Sequence, residues 1–273
     1  MKITVLGSQG MAGHMITKYF QKQGYSVATV ARNNADFNLD IENTAAVEDF
    51  FTNYTNCDWM INCIGLLVND SEINPARALL VNSWFPRFLE KNFLTTQTRI
   101  IHLSTDCVFD GTTGFYKETD IPTETNMYGK SKAFGEIINN KDITFRTSII
   151  GPELKSNGTG LFEWVVNKSS FKIAGWNDSH WNGMTTLQLA KCIENYMHRP
   201  VCAGLYHLVG SQSITKFDLL DIIVREYNLN KTIVAVNGPK PINKVLVDTR
   251  QCLNLDIPNY QTQICELRSY TTA

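Results

Sequence analysis

The chain has 273 residues, enough for one large domain or for a domain carrying a smaller lobe. Lys and Arg number 25 against 26 Asp and Glu with no block of like charge, which argues against nucleic acid or an anionic membrane as partner and leaves a small molecule. Seven cysteines without repeated C-x-x-C spacing read as reduced, buried side chains of a cytoplasmic protein; no disulfide framework, metal site, signal peptide or transmembrane stretch is expected.

The first half alternates short apolar runs with amphipathic stretches, the pattern of a parallel sheet covered by helices. A strand is expected from Ile3 to Leu6, followed at once by Gly7, Gly10 and Gly13 and by a helix from Met11 to Gln23. The G-x-x-G-x-x-G spacing permits a tight turn and close approach of a pyrophosphate, whose charge meets the free amides of the helix start. Gly7, Gly10, Met11, Ala12 and Gly13 are therefore expected to hold a dinucleotide; a plain strand-to-helix turn is the alternative. The end of the second strand, Ser26 to Val30, selects the dinucleotide, because an acid there accepts from ribose hydroxyls whereas an arginine pairs with a 2′-phosphate. It reads Val30-Ala31-Arg32-Asn33-Asn34, so Arg32 points to NADPH, with NADH as the alternative and a solvated arginine as the plain reading. Asp40 and Ile41 stand where an adenine-side contact is expected, and Asp40 serves equally well as a cap for the helix from Thr44 to Asn53.

The third strand, Trp59 to Asn62, opens into Cys63-Ile64-Gly65. A helix is expected from Pro75, suited to a first turn, to Phe93. The fourth strand, Arg99 to Leu103, leads into Ser104-Thr105-Asp106, and a helix from Tyr128 to Asn139 follows. Tyr128 and Lys132, four positions apart, share one helix face, so the ammonium can hold down the phenol pKa and make a proton donor near neutrality. The same spacing recurs at Tyr227 and Lys231, at the end of a helix instead of its start, and reads as coincidence. Cys107 reads as a packed thiol and His102, alternating with Ile101 and Leu103, as a buried hydrogen-bonded histidine.

After the strand from Ile143 to Arg146 and Gly151-Pro152 the pattern loosens into a glycine- and asparagine-rich stretch, Ser156 to Gly160. Helices are expected at Leu161 to Asn167, Thr186 to His198 and Lys216 to Tyr227, with short strands at Leu205 to Val209 and Thr232 to Val236. The fold expected is α/β: a Rossmann-type doubly wound parallel sheet over residues 1–152 and a smaller C-terminal α/β substrate lobe over 153–273, with segments free to return to the sheet.

Together these residues resemble the extended short-chain dehydrogenase/reductase family, and within it the dTDP-4-dehydrorhamnose reductase group. The resemblance rests on the glycine turn, Ile61 to Gly65, Val81-Asn82, Leu103 to Gly111, Asn126 to Lys132 through Gly135-Glu136, Phe145 to Ser148 and Lys244 to Thr249. It implies that Tyr128 donates a proton to the substrate oxygen, that Lys132 holds the nicotinamide ribose, and that Thr105 hydrogen-bonds the carbonyl. Cys63, Ile64, Gly65 and Leu103 become cofactor contacts; Thr105, Asp106, Ile149 and Trp181 become substrate contacts, with loop capping as the alternative for Asp106. The implied activity is NADPH-dependent reduction of a nucleotide-linked 4-keto-6-deoxysugar, as in dTDP-rhamnose and cell-surface polysaccharide biosynthesis, with a homodimer left open. An epimerase or dehydratase that retains NAD is one alternative; a non-catalytic regulatory subunit, like that of methionine adenosyltransferase, is another. The chain departs from the pattern at Ile149, where members carry a tryptophan that packs on the sugar, and at Cys107, where a tyrosine is common. Trp176 or Trp181 is a candidate replacement for the missing ring, with packing in the core or lobe as the alternative, and His180, placed in a loop, a candidate diphosphate contact.

Overall fold

The computed structural model describes residues 1–54, 57–155, 158–199, 202–250, 253 and 255–272, so Ser156 and Asn157 of the glycine- and asparagine-rich stretch lie outside the described residues. Seven strands form one parallel sheet: β1 (Lys2–Leu6), β2 (Ser26–Ala31), β3 (Phe37–Asn38), β4 (Trp59–Asn62), β5 (Arg99–Thr105), β6 (Ile143–Thr147) and, past two residues of β7 (Ile149–Ile150) and the lobe strands β8 (Lys172–Trp176), β9 (Ser179–Trp181) and β10 (Met184–Thr185), β11 (Gly204–His207). Their order is β11-β6-β5-β4-β1-β2-β3. From β1 the chain moves outward through β2 and β3, then restarts at β4 and moves the other way, so the crevice between the carboxyl ends of β1 and β4 is the switch point at which such sheets bind ligands.

Alternation along the strands sorts the core into two layers. Ile3 and Val5, Ile61, Ile101 and Leu103, and Ile143 and Phe145 face a cluster shared with helix α1 (Met11–Lys22). Leu6, Val30, Met60 and Ile100 face the other side, against Val47 and Phe51 of α2 (Thr44–Asn53). Two short helices, α3 (Val68–Ile73) and α4 (Pro75–Ala78), precede a π-helical stretch, Leu79–Trp84, which runs into α5 (Phe85–Phe93). The single helix expected from Pro75 to Phe93 is thus interrupted at its centre, and the interruption turns Asn82 into the interior. Helix α6 (Met127–Phe134) starts one residue early, capped by the Asn126 side chain, and ends five residues before Asn139, because Gly135 packs against the Asn82 carbonyl and turns the chain away.

The lobe adds α7 (Leu161–Asn167), α8 (Thr186–Met197), β12 (Ile214–Thr215), α9 (Lys216–Glu226), β13 (Thr232–Val236), β14 (Ile242–Asn243) and α10 (Tyr260–Thr272). Small sheets β10-β7, β12-β9-β14 and β13-β8 knit it together, while β11 returns to the main sheet beside β6. Cys57, Cys63, Cys107, Cys192 and Cys265 are free, but Cys265 is exposed and Cys202 is disulfide-bonded, against the expectation of buried thiols throughout. A single pairing made by the folded chain leaves no spacing signal in the sequence. Among the described residues no helix is long and apolar enough to cross a membrane.

Glu118 ties the carboxyl-terminal segment to β11: its buried carboxylate accepts from the His207 amide at 3.2 Å and from the Thr249 amide and hydroxyl at 3.2 and 2.5 Å. Burial drives His207 well below its ordinary pKa, with Glu118 opposing; burial works against Glu118, but its hydrogen bonds to Thr249 prevail and hold it below the usual value. Both groups bind fewer protons folded than unfolded, so both contribute stability that is complete above the free imidazole pKa of about 6.5 and declines as pH falls toward the folded values. The urea midpoint is therefore expected to drop between pH 7 and pH 5, and His207→Gln to flatten that drop; an equally steep decline in the variant would remove His207 from the explanation.

Candidate functional site

The glycine turn closes as its spacing requires. Gly7 adopts φ +77° and its amide bonds to the Val30 carbonyl at 2.8 Å, which locks the turn to the neighbouring strand. A Cβ on Gly13 would lie 2.1 Å from the Gly7 carbonyl oxygen, so helix α1 approaches the turn as only glycine allows. Gly10 occupies the N-cap position without a side-chain cap, which leaves the first amides of α1 available for an anion. Gly13→Ala is accordingly expected to cost about 1–3 kcal/mol by overpacking and to weaken dinucleotide binding; a variant that melts and binds NADPH like the wild type would show the turn is not this tight.

The remaining cofactor candidates sort by exposure. Arg32 is exposed just past β2, with no acid at residues 32–34, as a 2′-phosphate contact requires. Asp40 is exposed and its carboxylate accepts from the Glu42 amide at 3.1 Å, while Asn43 caps α2. Ile41 is 5 % exposed in the core, so its side chain is not an adenine contact; alternation after β3 sends it inward with Leu39. Cys63, Ile64 and Gly65 leave β4 at the switch point, Ile64 against Gly7. Burial pushes the Cys63 thiol up to about 12, with Lys132 opposing.

Helix α6 is held against the π-helical stretch by Asn82, whose amide donates to the Ser131 hydroxyl at 3.0 Å and to the Leu66 carbonyl at 3.1 Å while its oxygen accepts from the Leu66 amide. Sequence reasoning gave Asn82 no role; nothing in its spacing shows that it spans two segments. So fixed, Lys132 is buried and its ammonium donates to the Leu103 carbonyl at 2.6 Å. Burial lowers it to about 8, against the pull of Glu136 and Cys63. Tyr128 is partly exposed at the carboxyl end of β5. Its phenol is raised above the ordinary range, chiefly by burial and by Cys107, and the hydrogen-bonded Thr105 hydroxyl pulls the other way. The ammonium of Lys132 is engaged by the β5 backbone at Leu103, and the groups that shift the phenol are those around Thr105. Tyr128 keeps its proton at neutrality, the state a donor needs.

Thr105 ends β5, caps the short 3₁₀ turn Asp106–Val108 by accepting from the Cys107 amide at 3.1 Å, and donates to Asp106 at 3.2 Å. Burial raises Asp106, and Lys244 opposes that shift together with hydrogen bonds from Cys107, Thr105 and Ser148. Burial likewise pushes the Cys107 thiol up to about 12. Ile149 is partly exposed next to Ser148, whereas Trp181 is 9 % exposed and lies 5.5 Å from the Tyr260 ring within the core. Trp181 is thus a packing residue, and Trp176 is the partly exposed ring, with the Lys216 ammonium 4.9 Å above it. His102 is buried against Asn62, and His180 sits on strand β9, exposed, not in a loop. Tyr227 and Lys231 are structural: Tyr227 caps α9 and Lys231 donates to the Val165 and Val166 carbonyls at the end of α7.

A doubly wound parallel sheet with a glycine turn at its switch point and a Tyr-x-x-x-Lys helix beside β5 is the architecture of the extended short-chain dehydrogenases/reductases, which are nicotinamide-dependent oxidoreductases. Within that class the chain belongs to the family described as RmlD substrate binding domain, whose model matches residues 1–249. It is 28% identical over 236 residues to the dTDP-4-dehydrorhamnose reductase of Salmonella typhimurium, covering 83% of this chain and 78% of that one. It is 25% identical over 244 residues to methionine adenosyltransferase 2 subunit beta of Xenopus tropicalis, covering 82% and 72%. Among solved structures, a dTDP-4-dehydrorhamnose reductase of Clostridium acetobutylicum superposes with TM-score 0.85 at 22% identity over 100% of both chains. That of Bacillus anthracis in complex with NADP gives 0.83 at 20% identity over 98% of each.

Proposed function

We propose that this protein is an NADPH-dependent reductase of a nucleotide-linked 4-keto-6-deoxysugar, dTDP-linked by the analogy of its relatives. The observation that carries the reading is the convergence at the carboxyl end of β5 of Thr105, which ends the strand, and Tyr128, one helical turn from a buried Lys132 whose ammonium donates to the Leu103 carbonyl of the same strand. The amides of Met11 and Ala12 and the turn itself fit a pyrophosphate, Arg32 fits a 2′-phosphate, and Lys132 fits the nicotinamide ribose. A bound reduced nicotinamide supplies the hydride that the protein cannot. The protein's own residues orient the carbonyl through Thr105 and deliver the phenol proton of Tyr128 to the developing alkoxide.

The test is consumption of NADPH in proportion to ketosugar across a panel of dTDP-, UDP- and GDP-linked 4-keto-6-deoxysugars. No oxidation with any of them would remove the reading. Tightly retained NAD and turnover without added cofactor would instead favour an epimerase or dehydratase. Similarity to methionine adenosyltransferase 2 subunit beta supports a second reading, a dinucleotide-binding regulatory subunit. That reading gives no reason to keep Thr105, Tyr128 and Lys132 together, and it gains only if Tyr128→Phe leaves every assayable activity unchanged.

A further inference from the structure

The three-stranded lobe sheet β12-β9-β14 carries a lysine immediately after each outer strand. Thr215 and Asn243 both pair with His180 on the central strand; because β12 runs antiparallel and β14 parallel to β9, Lys216 continues toward Ser179 and Lys244 toward Trp181, one residue to either side of His180. Lys244 is anchored over the reacting site. Its ammonium reaches the Glu124 carboxylate at 3.2 Å, while the Glu124 amide bonds to the Val108 carbonyl and its side chain lies against Gly129, next to Tyr128. Lys216 has no such counter-ion: among the described residues it makes no ion pair, and its ammonium stands 4.9 Å from the Trp176 ring in a half-buried position. Burial lowers its pKa, Cys107 and Asp106 draw it back up, and Lys244 depresses it further, so both ammonium groups share one field with the segment after Thr105. A desolvated cation with no acid in ion-pair contact costs free energy that an anionic ligand recovers.

We propose that Lys216, backed by Lys244 and floored by Trp176, is the seat of an oxyanion carried by the substrate close to its reacting carbon. The proposal rests on the reductase reading for the identity of the site and adds a specificity determinant to it. Two sources share this chemistry: the diphosphate bridge of a nucleotide-linked sugar and a carboxylate on the sugar itself. Calorimetric titration of the whole protein with thymidine diphosphate, inorganic pyrophosphate and glucuronate separates them. At least one of these anions is expected to bind, with affinity that falls as salt rises, tenfold or more weaker in Lys216→Gln and largely restored in Lys216→Arg. Binding of the two phosphates assigns the seat to the diphosphate; binding of glucuronate alone assigns it to a sugar carboxylate. Lys244→Gln provides a second variant with its own thermal melt, should Lys216→Gln fold poorly. Failure of all three anions to bind the wild type, or unchanged affinity in both glutamine variants, overturns the seat. NADPH oxidation is scored separately: an active protein with unaltered anion binding keeps the reductase reading and loses the seat, and an inactive one whose variants lose anion affinity does the reverse.

Discussion

Tyr128→Phe is expected to lower kcat by about 10²–10⁴-fold, the range for removal of a general acid, with NADPH affinity unchanged. The ring stays and only the hydroxyl goes, so the loss falls on the step in which a proton reaches the substrate oxygen. The pH dependence separates Tyr128 from Lys132. The phenol sits above its ordinary range, whereas burial holds Lys132 at about 8, so the lysine is the first of the two to change charge as pH rises. In the free protein the alkaline decline of NADPH binding therefore reports Lys132. It is expected to persist in Tyr128→Phe and to vanish in Lys132→Met. A variant of Tyr128 that retains more than a fifth of wild-type turnover on a substrate the wild type reduces would exclude the phenol as donor.

The glycine turn was legible because its geometry is local. A strand, three glycines and a helix follow one another within residues 2–22, and the turn they form closes on the Val30 carbonyl. Tyr128 and Thr105 were legible for the same reason, each fixed by its place at a strand end or helix start. The rest depends on contacts distant in sequence. Spacing placed Lys132 on the face of Tyr128, but only the fold shows its ammonium drawn to Leu103. Composition could not choose between Trp176 and Trp181, because burial is decided by Tyr260, nearly eighty positions beyond Trp181. Lys216 has no motif at all; its meaning arises when β9 brings the ends of β12 and β14 to either side of His180. Helix α10 is a different case: Tyr260, Ile264 and Leu267 repeat at helical spacing and are buried, so a signal existed in an otherwise polar stretch and went unread.

The largest stability effect is expected at Glu136. Its carboxylate receives the Arg146 guanidinium in two bonds of 2.7 and 2.8 Å and the Ser104 hydroxyl at 2.8 Å, with both charged side chains 3 % exposed. Arg146 also lies over the Phe109 ring, so it has no route to water if its partner is neutralised. Glu136→Gln is therefore expected to cost about 3–5 kcal/mol, the penalty for a buried charge left unpaired, read as a fall in the urea midpoint at constant slope. Removing both charges should hurt less than removing one: Glu136→Gln combined with Arg146→Met is expected to recover most of the loss, because no uncompensated ion remains. The same carboxylate supports the charge of Lys132, so the alkaline decline of NADPH binding should begin at lower pH in Glu136→Gln, and the double variant should leave that displacement in place. Recovery of stability without recovery of the pH profile would separate the two duties of Glu136; single and double variants equally stable would mean that the ion pair does not hold β6 to the segment after α6.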